Sequence, residues 1–579
     1  MNFIDFHRVC IVFIMIFMLG VCFLPFAVIP SSDQSNVDSP YLNESQILFA
    51  PRFSTTTYLI QKNGFINHTW QSNYWPGECV YLLEDGTLIR AAKLTFYGDG
   101  SGGCIQKISW DGSLLWNYTY YSDYYLSHHD LELLPNGNIL AIAWEYKTRQ
   151  EAIENGRDPD RLQGNLLMPD HIIEIQQTGQ SSGNIVWEWH LWDHLIQDFD
   201  ASKDNYGVVE EHPELVDINF GSYTADWTHT NSIDYSEKFD QILLTIRNFD
   251  EIWVIDHSTT SQEAKGHSGG NSGQGGDILY RWGNPRAYQR GDVEDQKLFD
   301  QHDANWIESG CPGEGNILIF NNGVDRPEGE YSSVDEIIPP VDSIGNYFIE
   351  PDFPYGPEDK IWTYTDENPT NFYSNYVGGA ERLRNGNTII CEGSKGKFFE
   401  VNYVKEKLWE YINPFPSFQL NDVFKIQYLP SESEIPDIPD LECEGAIDLG
   451  IVKPGSTVSG SFILRNIGDP NSLLNWKIED WPSWGYGTSW TFNPEFGEDL
   501  LPEEGNITVQ VSCVVPDKNN RDFSGRIKIE NTEDQDDYEY VDIILSTIKN
   551  KSFSLNFYIF SRLFERFTGF SILCNLLGI

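Results

Sequence analysis

The chain has 579 residues, more than one ordinary domain holds, and at 40% hydrophobic and 14% aromatic it can build a large core, which argues against global disorder. Asp and Glu total 87 against 38 Lys and Arg, a net charge of −49; so acidic a surface repels phosphate backbones and argues against a general nucleic-acid binder. With 48 Gly, 29 Pro and 4 Met the composition leans to all-β, and 9 Cys are too few for a disulfide-built miniprotein.

Residues 1–30 open the chain with an almost purely apolar run from Val9 to Ile29, flanked by Arg8. A bilayer-crossing helix needs about 20 such residues, so the segment reads as a signal peptide or an uncleaved anchor. Either places the bulk of the chain outside the cytoplasm, secreted or membrane-anchored. Sequons at Asn43, Asn67, Asn117, Asn506 and Asn550 fit export. Cys79 with Cys104, and Cys443 with Cys513, are either pairs in an oxidising space or isolated buried thiols.

After a linker at 31–52, a strand unit recurs through residues 53–430. It is visible in CVYLLEDGTLIRAAK, HHDLELLPNGNILAIAWE, HTNSIDYSEKFDQILLTIRN, HDANWIESGCPGEGNILIFNNG and GGAERLRNGNTIICEGSKG. Each unit reads as four strands, with hairpin turns such as EDG, PNG, RNG and WDG and a last strand carrying Trp or Tyr. Four strands at a period of about 50 to 75 residues predict propeller blades, lengthened by insertions at 146–169 and 258–276. Five units start near Cys79, His129, His229, His302 and Gly379. A sixth would join 422–429 to strands from Phe53 to Trp70, closing the ring and removing free sheet edges. The count is six, with five or seven as neighbours.

Residues 431–440, rich in Pro and acids, form a linker. Residues 441–548 carry short alternating strands that read as an immunoglobulin-like β-sandwich, or as a jelly roll, with no catalytic cluster. The fold class is therefore all-β: a six-bladed β-propeller followed by an immunoglobulin-like β-sandwich. The apolar tail at 549–579, with Arg562, Glu565 and Arg566 interspersed, is either an interfacial amphipathic helix or a helix packed on the protein.

His129, His229 and His302 share one phase of the repeat, each read as opening the first strand of its blade. First strands line the central channel of a propeller, so the three imidazoles converge there. Asn231, two residues after His229, shares its face if the strand alternates regularly. Arg247 is placed in the following strand, as a site residue or else in an inter-blade salt bridge, and alternation turns His128, Asp130 and Asp303 away. Three imidazoles and a water can hold zinc. An Arg beside them repels a cation and suits an anion such as sulfate or phosphate, and a neutral imidazole can act as nucleophile. The residues thus favour transfer or hydrolysis of an oxyanion ester over metal hydrolysis.

The segments HHDLELLPNGNIL, WEWHLWDHL, DWTHTNSIDY with QILLTIRNFDEIWVIDH, ILYRWGNPRAY, and FDQHDANW with GNILIFNNG resemble the aryl-sulfate sulfotransferases of bacteria and archaea over roughly residues 53–430. That resemblance implies a six-bladed propeller with its active site in the central channel. It implies PAPS-independent transfer of a sulfuryl group from an aryl sulfate to a phenol, with small-molecule partners and no cofactor or metal. It implies His302 as the nucleophile that becomes sulfohistidine, with His229, Arg247 and a histidine of the His-His-Asp segment, His129 by repeat phase or else His128, as its catalytic partners, and Asn231 as a substrate-binding companion. His190 and His194 recur in the resemblance and read as blade-edge framework, while Trp192 and the run NYTYYSDYYL offer aromatic walls. Two other readings stand beside this one: a secreted or surface-anchored binding propeller without turnover, and an aryl sulfate hydrolase.

Overall fold

A computed structural model describes residues 44–548, except 97, 99, 432–438, 470–471, 485–489 and 535–536. The apolar segments expected at 1–30 and 549–579 lie outside the described residues. Among the described residues no helix is long and apolar enough to cross a membrane. The chain divides into two compact units, one ending at Glu434 and the other beginning at Ile435.

The first unit contains six four-stranded antiparallel sheets. The first is Pro76–Leu82, Leu88–Lys93, Gly103–Ile108 and Leu114–Thr119; the second is Tyr125–Leu133, Ile139–Glu145, Asp170–Gln177 and Gly183–His190. The third is Thr230–Ser236, Gln241–Ile246, Glu251–Asp256 and Tyr280–Trp282; the fourth is His302–Trp306, Ile317–Asn321, Ser333–Ile337 and Trp362–Tyr364. Gly379–Arg382, Thr388–Glu392, Lys397–Val401 and Lys407–Ile412 make the fifth. The sixth takes its first strand, Gln427–Leu429, from the end of the unit and pairs it with Gln46–Phe49, Thr56–Gln61 and Ile66–Gln71 from the beginning. Gln46–Phe49 is a strand within the stretch read as linker. Its four residues, QILF, are all buried but too few to show a period.

The sheets follow one another in a ring. Their first strands touch in cyclic order, and the Tyr428 N–H of the sixth donates to Glu381 of the fifth at 3.3 Å. One bond repeats around the periphery. An outer-strand Trp of each sheet donates its indole N–H to the segment joining the third and fourth strands of the next sheet. Trp70 reaches the Ser109 carbonyl, Trp116 the Ser182 carbonyl, Trp187 the Thr259 hydroxyl, Trp282 the Pro357 carbonyl, Trp362 the Tyr403 carbonyl and Trp409 the Lys62 carbonyl, all at 2.7–3.1 Å. The last of these joins the fifth sheet to the sixth and the first joins the sixth to the first, so the set closes on itself. Each indole covers apolar surface between two sheets while its N–H remains satisfied.

The second unit has a four-stranded sheet (Leu441–Glu444, Thr457–Asn466, Ile507–Val514, Thr491–Asn493) and a five-stranded one. In the latter, Ile447–Val452 lies parallel to Tyr538–Thr547, followed by Asp522–Asn531, Leu474–Asp480 and Phe496–Leu500. Alternate residues of both sheets, including Phe462, Val509, Ile527 and Val541, enclose Trp476 in one apolar core. The six described cysteines, Cys79, Cys104, Cys311, Cys391, Cys443 and Cys513, are free thiols. Cys104 instead donates to the Asn117 side-chain carbonyl at 3.2 Å, so pairing with Cys79 is not what holds this hairpin.

Candidate functional site

Four of the six first strands are irregular at the same level, and the irregularity aims the side chains. The ladders slip between Pro76 and Val80, Ser127 and Leu131, Thr230 and Ser232, and His302 and Ala304. Left-handed residues accompany the slips: Glu78 (φ 101°), His129 (φ 51°), His229 (φ 53°) and Asp303 (φ 46°). Such backbone costs about 1–3 kcal/mol per residue and persists only where its surroundings over-determine it. A bulge also breaks the two-residue alternation on which the sequence expectation rested. His128 and His129 therefore both take part in one hydrogen-bonded cluster. His129 lies in the middle of its strand and His229 just before Thr230–Ser236, whereas His302 does open its strand. Arg247 lies past the end of Gln241–Ile246, at the start of a single 3-10 turn, Arg247–Phe249.

The structure brings His129, His229 and His302 together with Arg247. All three imidazoles are buried. The rings of His129 and His229 meet edge to face at 4.6 Å, and Phe424, from the segment leading into the sixth sheet, lies 6.1 Å from His129 and 6.5 Å from His302. A Cβ on Gly100 would fall 2.0 Å from the His129 ring, and Gly100 itself has φ +78°, so glycine is needed where the chain passes this imidazole.

The tautomer of His302 follows from its partners. The Asn322 amide N–H₂ donates to the carbonyls of Ser374 (2.7 Å) and Val377 (3.0 Å), which leaves Oδ1 as an acceptor 2.8 Å from His302 Nδ1. Nδ1 therefore carries the hydrogen and Nε2 the lone pair. The Val377 N–H approaches Nε2 at a long 3.3 Å. Val377 is itself left-handed at φ 49°, an uncommon conformation for a β-branched residue. Burial first, then the charge of Arg247, lowers the His302 pKa to about 3 against the pull of Asn322. At neutral pH it is an uncharged imidazole with an available lone pair.

His229 is the opposite case. Burial disfavours its cation, but Asp226, hydrogen-bonded to Nδ1, outweighs burial and holds the pKa above the ordinary value. His129 lies well below it, through burial first and then through the neighbouring imidazoles of His229, His128 and His302. Behind His129 stands a buried relay. His128 Nε2 is 2.9 Å from Asp170 Oδ1, and the two Nδ1 atoms of His128 and His129 are 2.7 Å apart. The other Asp170 oxygen accepts from the Thr228 hydroxyl (2.6 Å) and the Thr230 N–H (2.8 Å). His128 stacks on Trp144 at 4.0 Å. One proton is shared between the two Nδ1 atoms, and its position decides whether His129 presents a lone pair or an N–H at Nε2.

Arg247 is half-buried and paired with Asp300, and its other nitrogen donates to Asn248 at 3.2 Å. Asn231 is fully buried at the bulge. Its amide donates to the Gln301 carbonyl at 3.0 Å and its Oδ1 has no partner, so it braces the neighbouring sheet. Beneath the imidazoles, Lys425 Nζ bridges Asp130 (2.7 Å) and Asp303 (3.2 Å). His190 stacks on His171 at 5.0 Å, away from this cluster, and His194 contacts Asp277 and Ala264. The Tyr-rich run packs locally: Tyr120 stacks on Tyr125 at 4.2 Å, and its hydroxyl meets His171 at 2.9 Å.

Sequence reasoning missed Asp170, Asp226, Asn322, Val377 and Phe424. Two left a signal: Asn322 directly follows the strand Ile317–Asn321 of the recurring GNIL pattern, and Asp226 lies in the segment DWTHTNSIDY with His229. Asp226 lies only three residues before its partner His229, and the others depend on partners far away in the chain or on backbone conformation. As assembled, the site brings together an uncharged imidazole with an available lone pair at His302, an imidazole at His229 whose cation Asp226 favours, the Arg247 guanidinium, and a tethered imidazole at His129 whose cation is disfavoured. This set can attack, protonate and neutralise an anionic ester.

A family model described as Arylsulfotransferase (ASST) matches residues 84–421. No curated protein matches the chain. Among solved structures, a protein of unknown function from Bacteroides caccae is 11% identical, with 67% of this chain and 99% of that one covered and a TM-score of 0.37. A streptogramin B lyase is 10% identical (65% and 84% covered, TM-score 0.31), as is virginiamycin B lyase from Staphylococcus aureus (64% and 88% covered, TM-score 0.30). TM-scores this low decide neither fold nor activity.

Proposed function

The chain belongs to the arylsulfotransferase family, the PAPS-independent enzymes that use aryl sulfates and phenols, and from that premise we propose that its six sheets are the blades of a six-bladed β-propeller whose channel runs ping-pong sulfuryl transfer through a sulfohistidine at His302. The uncharged Nε2 of His302, with its tautomer set by Asn322, is the observation that carries this reading.

The lone pair on Nε2 attacks sulfur in line and displaces the weak contact with the Val377 N–H. The N–S bond forms as the S–O bond to the aryl group breaks. The imidazolium of His229 gives its Nε2 proton to the departing aryloxide, and Asp226 keeps the cation at Nδ1 stabilised until then. Arg247 neutralises the equatorial sulfuryl oxygens, turning from Asp300 to do so. A phenol then enters and loses its proton to the now neutral His229. It attacks sulfur, and the N–S bond electrons return to Nε2. His129 stays neutral throughout and offers Nε2 to the sulfuryl group. Asn231 acts through the Gln301 backbone, which precedes the nucleophile.

The direct test is turnover of a chromogenic aryl sulfate with and without phenol. Phenyl sulfate formation that requires phenol supports the transferase. Sulfate release indifferent to phenol identifies a hydrolase, and a folded protein that binds aryl sulfates without turnover identifies a binding scaffold.

The relay behind His129 makes a separate expectation. Asp170→Asn removes the anchor of His128 and leaves His302 and Arg247 in place. Acid–base positioning supplies about 10²–10⁴ in rate, and we expect kcat to fall by part of this, on the order of 10–100-fold, with KM for the donor changed little. A loss confined to KM would show that the relay does not act on the chemical step.

The pH profile divides by half-reaction. With a pKa of about 3, His302 stays uncharged above pH 5 and sets no limb there. His229 must be protonated for the first half and neutral for the second, and its pKa is raised. Single-turnover release of a poor leaving group should slow as pH rises through that value, whereas transfer from the sulfated enzyme to phenol should slow as pH falls through it. Parallel pH dependence of both halves would remove His229 from the acid–base role.

The second unit is read as an immunoglobulin-like sandwich. The apolar N-terminal segment and the sequons support an extracytoplasmic, secreted or membrane-anchored protein. A cell-fractionation and glycan-cleavage assay on the native protein checks that placement.

A further inference from the structure

The loop 258–277 of the third sheet carries Gly266, Gly269, Gly270, Gly273, Gly275 and Gly276. Ordering so glycine-rich a segment costs more backbone entropy than almost any other sequence of its length. Part of the order comes from Asp256, which accepts from the Ser258 and Ser272 N–H groups at 2.9 Å each. At the far end of the loop the structure gathers three side chains from distant positions. Asp277 Oδ1 lies 2.8 Å from His194 Nδ1 and 2.7 Å from His267 Nδ1. One ligand atom from each of the three lies within 4.8 Å of the other two.

We propose that His194, His267 and Asp277 bind one divalent transition-metal ion, of the zinc class, which clips this loop to the segment after the second sheet. The orientation of His194 carries the argument. Its Nε2 is 2.9 Å from the Ala264 carbonyl, which can only accept, so Nε2 bears a hydrogen. With that hydrogen placed, Nδ1 faces a carboxylate oxygen at 2.8 Å, and the second imidazole, His267, turns its own Nδ1 to the same oxygen at 2.7 Å. Two imidazole nitrogens converging on one carboxylate oxygen call for a cation among them, and a metal ion serves all three at once. A ligating imidazole held by a backbone carbonyl on its other nitrogen is how metal-binding histidines are oriented.

The support around His194 is built rather than incidental. The ring is completely buried and stacks on Trp189 at 5.8 Å, while the Trp189 indole N–H donates to the Gly276 carbonyl at 2.7 Å. A Cβ on Gly276 would fall 1.9 Å from the Ala264 oxygen and 2.7 Å from His194 Nε2, so only glycine lets the loop pass. His267 is 60% exposed, which gives the ion a path in and leaves a fourth position for water. Two imidazoles, a carboxylate and a water are a donor set that zinc accepts in tetrahedral geometry, with bonds of about 2.0–2.2 Å. Donors around such an ion lie roughly 3.3–3.6 Å apart, so both Asp277 contacts must open by about 0.5–0.9 Å; the exposed His267 is free to give way, and the Asp277 carboxylate must rotate away from the buried His194. None of these residues belongs to the cluster around His302.

The test uses the full, tag-free chain in mild detergent, stripped with chelator and titrated with Co²⁺. A visible absorption band of four-coordinate Co²⁺, saturating at one equivalent and erased by Zn²⁺, is expected. His267→Ala leaves the buried His194–Asp277 pair intact and should bind at least about tenfold more weakly. Zn²⁺ should raise the unfolding temperature of the parent and not of His267→Ala. Asp277→Asn should also lose the band. A parent chain with no band and no thermal shift, or a parent and His267→Ala that bind alike, would overturn the proposal and leave a proton as the cation between these groups.

Discussion

Replacing His302 by Asn should abolish phenol-dependent release of aryl groups, with a fall on the order of 10⁴–10⁶ in kcat, the range seen when a covalent nucleophile is removed. Asn keeps a polar side chain of similar reach beside Asn322 and the Asp300 carbonyl, which lie 2.8 and 3.1 Å from His302 Nδ1. The cost to the fold should therefore be small, and an unfolding temperature near that of the parent serves as the control. The decisive readout is the pre-steady-state burst. The parent should release one equivalent of aryl group before any acceptor is added and hold a sulfuryl label that survives at high pH and is lost in acid. A normal burst in His302→Asn would move the nucleophile elsewhere in the channel.

Arg247→Met is the second large effect expected. Methionine matches the aliphatic stem and removes the guanidinium, so what is lost is the charge proposed to face the sulfuryl oxygens. Donors aimed at developing charge in a dry site are worth about 2.7–4 kcal/mol, or 10²–10³ in rate. In this structure the guanidinium is held by Asp300, whose carboxyl burial keeps above its usual range even against the pull of Arg247. That pairing makes Asp300→Asn informative as a partner variant. It frees Arg247 and should leave kcat/KM unchanged or raise it. An Arg247→Met enzyme within threefold of the parent would show that Arg247 serves only to neutralise Asp300. The −49 net charge sharpens the point, since an anionic substrate enters against a repulsive field that only local cations offset.

Much of the ring is legible because its signals are local. The hairpin glycines of EDG, WDG, PNG and RNG, at Gly86, Gly112, Gly137 and Gly386, all take the positive φ that such turns demand. The Trp of each last strand, a repeat visible in the sequence, is the donor that fastens sheet to sheet. The convergence of His129, His229 and His302 is legible for the same reason, since equal phase in a repeat means equal place in a ring. What fails is the assumption of regular strands. Asn231 was placed beside His229 by counting in twos, and the slip between Thr230 and Ser232 turns it to Gln301. Counting likewise sent His128 to the far face, whereas the bulge at Ser127–Leu131 puts it against His129. Left-handed φ at a histidine or a valine has no compositional mark, and so the relay through Asp170 and the turn at Val377 could not be read. Gln46–Phe49 escaped for want of length, and the approach of His194 to Asp277 spans far more chain than any local pattern covers.

Lys425 lies just ahead of the strand that closes the ring, and it is the cation between Asp130 and Asp303. Of these three residues a ribosome delivers it last, well after both carboxylates. Until residues 424 and 425 have emerged, two buried carboxylates from the second and fourth sheets lack the cation between them, and Phe424 is missing from beside His129 and His302. The earlier sheets can form one by one as they are made, but they cannot settle around a common centre. Closure and competence for chemistry are thereby expected to depend on a late event in biosynthesis, and a chain truncated before this point should carry all three imidazoles without activity.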